Sequence, residues 1–256
     1  MWDPDEYLRY ASERGRAFFD LVSRVQAVDP SFVADLGCGP GKLTAALAAQ
    51  WPGAEVLGVD SSSEMITSAQ AGPGRQPRLS FELGDISDWE PRQAVDVIVS
   101  SAALQWVPDH LDVIARWPGM LSPGGWLAFQ LPGNFDQPSH AILLDLARSA
   151  RWWPHLGDLR LNRQARDPQE YLGLLAGAGC AVDAWETTYL HVLPGPDPVV
   201  EWYRGSGLRP VLAALSDEQV AEFTAEYGVR IRAAYPAAPY GTVLPFRRVF
   251  VVARRP

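Results

Sequence analysis

Three glycines at alternate positions, Gly37, Gly39 and Gly41, stand directly behind the apolar run 32–36, and a carboxylate, Asp35, sits inside the end of that run. Two more aspartates, Asp60 and Asp85, each close another run of strand character. Glycine suits a backbone that must turn sharply and leave room for something close. Carboxylates accept hydrogen bonds and attract cations, and they repel phosphate. Such a set describes a cradle for a polar, positively charged ligand. Both phosphate patterns are missed. The dinucleotide turn G-x-G-x-x-G would place its third glycine where Lys42 stands, and a G-x-x-x-x-G-K-[ST] loop fails because Leu43 follows Lys42. Asp60 can accept from two ribose hydroxyls, and Asp85 from the exocyclic amine of an adenine with Ile86 alongside its ring. A nucleoside that carries a cation suits these acids better than a dinucleotide does.

The elements between these residues have to bring them to one edge. Residues 32–36 read as a buried strand, 42–51 as a helix and 55–60 as a second strand. Ser62 or Ser63 can cap the next helix, which carries Met65 and Ile66. Residues 79–85 alternate as a strand, and 95–99 form an apolar strand that opens into a loop. A helix is predicted at 109–120, and Ser-Pro-Gly-Gly at 122–125 turns the chain into a strand at 126–132. Strand and helix thus alternate five times, which predicts a doubly wound, mostly parallel α/β sheet of Rossmann-like type. Such sheets bind ligands beyond the carboxyl ends of their strands, where all three aspartates fall.

Further along, 136–153 predicts a helix, as does the segment with Asp167 at the N-cap and Pro168 at its first position. Residues 182–193 and 247–255 predict two more strands. At the start, 5–27 predicts an amphipathic helix, and 1–30 is expected to act as a helical lid. Residues 194–246 carry helix starts at Asp197-Pro198 and at Ser216 with Gln219, and are too long for a plain connection. They predict a small helical cap, inserted before the last strand, over the sheet's carboxyl edge. Residues 1–256 are expected to form a single domain.

Composition narrows the partners. A hydrophobic share of 47% and a charged share of 20% belong to a globular enzyme and exclude disorder. The net charge of −8 argues against nucleic acid and against a membrane surface. Lys42 is the only lysine, so nearly every cation is an arginine. Cys38 and Cys180 are too few for a disulfide framework or a zinc site, so a reducing cytoplasm and no metal are expected. The start "MWDPDEYLRYASERGR" lacks the apolar stretch of a signal peptide.

The motifs "VADLGCGPG", "GVD" and "LGD" resemble the first three binding motifs of class I S-adenosylmethionine-dependent methyltransferases. That resemblance implies their seven-stranded sheet, with the last strand inserted antiparallel, and S-adenosyl-L-methionine as cofactor. It also implies that Asp35, Gly37, Gly39 and Gly41 hold the methionine end and that Asp60, with Ser61, holds the ribose. Met65 and Ile86 would flank the adenine, Asp85 would take its amine, and Ser101 would join the cofactor set. Five longer segments are similar to the trans-aconitate 2-methyltransferase family: "WDPDEYLRYASERGR", "LQWVPDH", "QLPGNFDQPSH", "YRGSGLRP" and "LPFRRVFVVARR". Members esterify one carboxylate of a small tricarboxylate. After the fourth strand this chain has Ser100-Ser101-Ala102 in place of the family's common Asn-Ala.

A carboxylate acceptor fits the rest of the chain. It is ionised at neutral pH, so no general base and no catalytic residue are expected, only positioning and removal of water. Its non-reacting carboxylates call for cations and neutral donors. The candidates are Tyr10, Gln105, Trp106, His110, Asn134, Tyr203, Arg204 and Arg247, with His140 and Arg209 beside them. Plainer readings stand next to these. On these, His110 caps or pairs within its helix, Trp106, Trp152 and Trp153 belong to the core, and Arg247, Arg248, Arg254 and Arg255 are strand-edge charges that deter aggregation. A monomer with a small-molecule substrate is expected. The rival readings are a methyltransferase for another small acid or an amine, and a nucleotide-binding module without chemistry.

Overall fold

The computed structural model describes residues 11–72, 76–157, 159 and 165–256, with side chains from residue 15 onward. Tyr10 lies outside the described residues. Strands β1 (Phe32–Leu36), β2 (Glu55–Asp60), β3 (Leu79–Leu83), β4 (Val95–Ser101), β5 (Leu121–Pro132), β6 (Ala181–Leu193), β7 (Ala237–Ala238) and β8 (Gly241–Arg254) form one sheet. Its order is β3-β2-β1-β4-β5-β8-β6, with β7 paired to β8 off that path. The pairs from β3 to β5 are parallel, and β8 is antiparallel to β5. The doubly wound, mostly parallel sheet is therefore as expected, and the order reverses at β1 and β4, the place where such folds bind.

The strand count differs: eight among the described residues, against the expected seven. The extra strand is β7, which makes a hairpin on the start of β8, with Ala237 opposite Thr242 and Ala238 opposite Gly241. Gly241, at φ +125°, occupies backbone that other residues rarely adopt. Thr242, Leu244 and Phe246 then alternate inward, so residues 241–246 belong to the strand and not to the helical insertion. Pro245 within that run hid the alternation, because proline reads as a strand breaker. A second correction concerns residues 122–125, which do not precede β5 but lie inside it as an irregularity. Gly124 takes φ +77°, and the β4–β5 register shifts between Val95 and Val97.

The helices are α1 (Ala11–Val22), α2 (Lys42–Gln50), α3 (Ser63–Ala71), α4 (His110–Met120), α5 (Pro138–Ala147), α6 (Trp153–Leu156), α7 (Pro168–Gly177), α8 (Pro198–Arg204), α9 (Arg209–Ala214) and α10 (Asp217–Ala234). Helix α1 stops at Val22, short of residue 27, although Val25 is still buried. The expected helix at 136–153 is two, α5 and α6, with Pro154 in the first turn of the second. Capping boxes stand where the sequence puts them. Asp167 caps α7 with Glu170 reaching back, and Ser216 caps α10 with Gln219.

The chain divides into two compact units, where one domain was expected. The larger holds Gly15–Pro132, Ala165–Thr187 and Arg248–Pro256. Its core is the aliphatic sheet interior with Trp117, Phe129 and Tyr171. From Gly15 on, α1 belongs to this unit. Phe18 and Leu21 are buried there, which anchors the segment by roughly 1.5–3 kcal/mol for each side chain. The smaller unit includes Gly133–Gln164 and Thr188–Arg247, more chain than the expected insertion at 194–246. The reason is a shared core. Leu143, Leu146 and Trp152 pack in one cluster with Trp202, Phe223 and Tyr227. No described helix is long and apolar enough to cross a membrane.

Candidate functional site

The glycine turn answers two different demands. Leaving β1, the chain bonds Gly37 N–H and Cys38 N–H to Val59 O, at 2.8 and 3.0 Å, so the turn is tied to β2. All three glycines take positive φ. A Cβ on Gly37 would lie 2.2 Å from Ala103 Cβ, and one on Gly41 would lie 2.6 Å from Phe81 Cζ and 2.8 Å from Ala69 Cβ. At both positions the protein's own side chains occupy the space. A Cβ on Gly39 would meet nothing within 4 Å. Of the three, Gly39 alone fronts open space among the described residues, so it is the point where a ligand can approach the backbone.

The carboxylates around the turn have different environments. Asp35 is 2% exposed and accepts a 2.7 Å hydrogen bond from Thr44 Oγ1 on α2. Burial pushes its pKa from 3.8 up to about 7; the Thr44 bond opposes that shift and the charge of Asp60 adds to it. A buried carboxyl poised near neutrality gains most when a cation arrives. Asp60 spans the turn and the next helix, accepting from Gly39 N–H through Oδ2 at 2.8 Å and from Ser62 N–H through Oδ1 at 2.9 Å. Ser62, not Ser63, is the N-cap of α3, accepting from Met65 N–H. Two lone-pair positions of Asp60 stay available for hydroxyl donors.

Asp85 lies two residues beyond β3 and is exposed. Its Oδ1 accepts from Ser87 N–H at 2.8 Å in a local turn. Ile86 is buried, Met65 is half-buried and Ser61 is exposed. Cys38 is a buried thiol whose pKa is raised by burial and then by Asp35 and Asp60, which keeps it protonated and unreactive.

Beyond β4 the backbone is strained where it meets the glycine turn. Ala102 takes φ +56°, uncommon for a residue with a side chain, and its carbonyl is held by Gln105 Nε2 at 2.6 Å. Gln105 Oε1 is buried with no partner among the described residues. Ser100 Oγ donates to Leu36 O at 2.7 Å, locking β4 to β1. Ser101 Oγ accepts from Gln130 Nε2 at 2.7 Å, and Gln130 Oε1 accepts from Arg248 Nη1 at 3.1 Å. Trp106 is 47% exposed, unlike a core tryptophan. His110 is buried, with Nε2 2.8 Å from Tyr171 Oη on α7. Tyr171 Oη accepts from Arg166 N–H at 3.0 Å. Burial first, and then Arg166, lower the His110 pKa, which favours the neutral ring.

The other acceptor candidates lie in the smaller unit. Asn134 is fully buried and donates through Nδ2 to Tyr203 Oη at 2.8 Å, while its Oδ1 has no partner among the described residues. Ser139 Oγ donates to the same phenol oxygen at 2.7 Å and accepts from Tyr235 Oη at 3.3 Å. Arg247 Nη1 donates to Gly133 O at 3.0 Å. Arg204 and Arg247 are both half-buried. His140 is buried beside Tyr203, with ring centroids 5.2 Å apart. Trp152 is core as read, whereas Trp153 is 55% exposed.

Sequence reasoning missed Thr44, Ser139, Tyr235, Gln130 and Arg248. Arg248 corrects the strand-edge reading, since it is only 6% exposed. The signal for it was the two-residue period of β8, which turns Arg248 inward with Phe246 and Phe250. The others had none, because serine, threonine, glutamine and tyrosine are common in every setting.

An open α/β sheet with a glycine turn at its reversal point, an acid inside β1, one ending β2 and one just beyond β3 fits a nucleoside-binding transferase. Comparison with known proteins makes the class definite: residues 33–125 match the family model described as a methyltransferase domain. The fold is also similar, at TM-score 0.58 and 16% identity, to the Haemonchus contortus phosphoethanolamine N-methyltransferase 2 solved with S-adenosyl-L-methionine, covering 94% of this chain and 52% of that one. Closer relatives narrow the class. The trans-aconitate 2-methyltransferase of Streptomyces avermitilis is 51% identical over 99% of this chain and 97% of its own length, and that of Mycolicibacterium gilvum is 51% identical over 99% of both. The chain belongs to the trans-aconitate 2-methyltransferase family.

Proposed function

We propose that the protein transfers a methyl group from S-adenosyl-L-methionine to one carboxylate oxygen of trans-aconitate, forming a monomethyl ester. Half-identity to curated relatives over nearly the whole chain carries this reading. The site's donor set fits the cofactor. Gly39, with its N–H donated to Asp60, leaves room beside its Cα among the described residues, Asp35 offers a buried carboxyl for an ammonium, and Asp60 suits ribose hydroxyls. Exposed Asp85 with buried Ile86 suits an adenine edge and face. When bound, S-adenosylmethionine supplies an electrophilic methyl group on a cationic sulfur.

What the chain must then do is modest. The acceptor oxygen is already anionic, so no residue need take up a proton. One C–S bond breaks as one C–O bond forms, and the electron pair of the broken bond stays on sulfur. Two opposite charges vanish together, which a site stripped of water favours, because the ionic ground state is poorly solvated there. The remaining barrier is lowered by alignment. We assign Gln105, Trp106, His110, Asn134, Tyr203, Arg204 and Arg247 to holding the acceptor. The reading includes Tyr10 in the same role, a cytoplasmic setting and a monomeric chain.

The test is methyl transfer from labelled cofactor across a panel of trans-aconitate, other di- and tricarboxylates, and small amines. Turnover of trans-aconitate with the highest kcat/KM is expected. Failure on every acid alongside turnover of an amine would overturn the assignment.

A further inference from the structure

The hydrogen bonds behind the end of β4 have a direction, and that direction constrains what can bind there. Arg248 is 6% exposed and Gln130 1% exposed, costly placements for a guanidinium and a carboxamide. Arginine can only donate. The oxygen of Gln130 must therefore face Arg248 Nη1, at 3.1 Å, and its amide nitrogen must face Ser101, at 2.7 Å. An amide nitrogen also only donates, so Ser101 Oγ is obliged to accept. Its own proton finds no acceptor among the described residues. Ser101 is half-buried and stands directly opposite Gln130 in the β4–β5 ladder. The next residues, Ala102 in its left-handed conformation and Ala103 against Gly37, bring this hydroxyl to the border of the glycine turn.

We propose that Ser101 is a one-way donor, set by Gln130 and Arg248 as positioning residues, and that it recognises a carboxylate oxygen of a bound ligand. This deepens the methyltransferase reading and rests on it. Two ligands of that reaction carry carboxylates, the cofactor's methionine end and the acceptor, and one chemistry serves for both. An ammonium or amide N–H at the same point would face a second donor. The relay thus also sets the preference for acids over amines, a preference that no charged side chain at the contact point has to supply.

The experiment compares Ser101→Ala, Ser101→Thr and Gln130→Glu in the full chain. It reads S-adenosylhomocysteine affinity by calorimetry, KM and kcat for trans-aconitate, and the melting temperature. Glutamate at 130 keeps the contact with Arg248 but accepts the serine proton, which reverses the relay at constant shape. We expect Ser101→Ala and Gln130→Glu each to weaken one carboxylate ligand at least tenfold, with kcat changed less and the melting temperature held within a few degrees. Ser101→Thr, which keeps the hydroxyl, is expected to restore binding.

A loss in S-adenosylhomocysteine affinity assigns the donor to the cofactor. A loss confined to the KM of trans-aconitate assigns it to the acceptor. Wild-type values for both ligands in Ser101→Ala, or in Gln130→Glu, overturn the proposal, as does a Gln130→Glu chain that melts far below the wild type. A wild-type protein that neither binds S-adenosylhomocysteine nor methylates an acid refutes the functional reading instead, so the two failures are distinguishable.

Discussion

Asp35 and Asp60 are twenty-five positions apart and have opposite situations, and that contrast makes both testable at the scale of the residue. Asp35 loses its proton near 3.8 in an unfolded chain and near 7 in the folded one. Between those values the folded state holds more protons, so this group's contribution to stability falls as pH rises from about 4 to about 7. Asp35→Asn, a neutral mimic, is expected to stay close to the wild-type melting temperature at about pH 3.5 and exceed it at pH 8, by roughly a few kcal/mol of stability. Equal curves at both pH values would remove the buried-anion account. Asp60 already holds Gly39 N–H and Ser62 N–H. Its replacement by alanine should weaken S-adenosylhomocysteine binding by about 1–3 kcal/mol, the usual scale for a charged hydrogen-bond partner. Calorimetry that returned the wild-type affinity would withdraw its ribose role.

At the scale of the element, the glycine turn separates packing from binding. Gly37→Ala puts a methyl group 2.2 Å from Ala103 Cβ in a conformation that already disfavours side chains. A loss of stability of at least about 2–3 kcal/mol is expected in chemical denaturation, the sum of overpacking and left-handed strain. Gly39→Ala meets nothing within 4 Å and adds only the strain, about 1–2 kcal/mol. The functional effect should run the other way, with cofactor affinity falling further in Gly39→Ala than stability does. A Gly39→Ala protein that binds S-adenosylhomocysteine like the wild type would show that no ligand approaches that backbone. Helix α4 has a complementary role: Nε2 of its His110 lies 2.8 Å from Tyr171 Oη of α7, which makes this contact a brace between two helices.

For the whole molecule, net charge and the two cores are the relevant quantities. A chain of charge −8 repels a tricarboxylate at long range, and that field is screened over about 30 Å at 0.01 M salt but about 8 Å at 0.15 M. The value of kcat/KM for trans-aconitate should therefore rise several-fold across that range. A steep fall instead would mean that clustered arginines dominate the approach. Each unit also has its own aromatic core. Trp152→Ala, in the cluster with Phe223, should cost about 3–5 kcal/mol in denaturant titrations.

Much of the fold was readable because its signals are local. Strand β2, the caps Asp167 and Ser216, and the strand-helix alternation each depend on residues within one turn or one run, so periodicity and capping chemistry suffice. The same holds for the glycine turn and its three aspartates, whose spacing follows from strand ends. The relay Arg248–Gln130–Ser101 was not readable, nor was the Asn134–Tyr203–Ser139 cluster, since their members lie far apart in sequence and pair only when strands and helices meet. The bulge at 122–125 and the hairpin of β7 escaped for a related reason: proline and glycine mark a turn locally, and only a neighbouring strand makes them part of a sheet. The sequence by itself determined which groups are acidic, where backbone must bend and hence what class of ligand is welcome. Tertiary structure decided which of those groups are buried, which way each hydrogen bond points and which glycine faces open space, because burial and hydrogen-bond direction are properties of neighbours and not of residues.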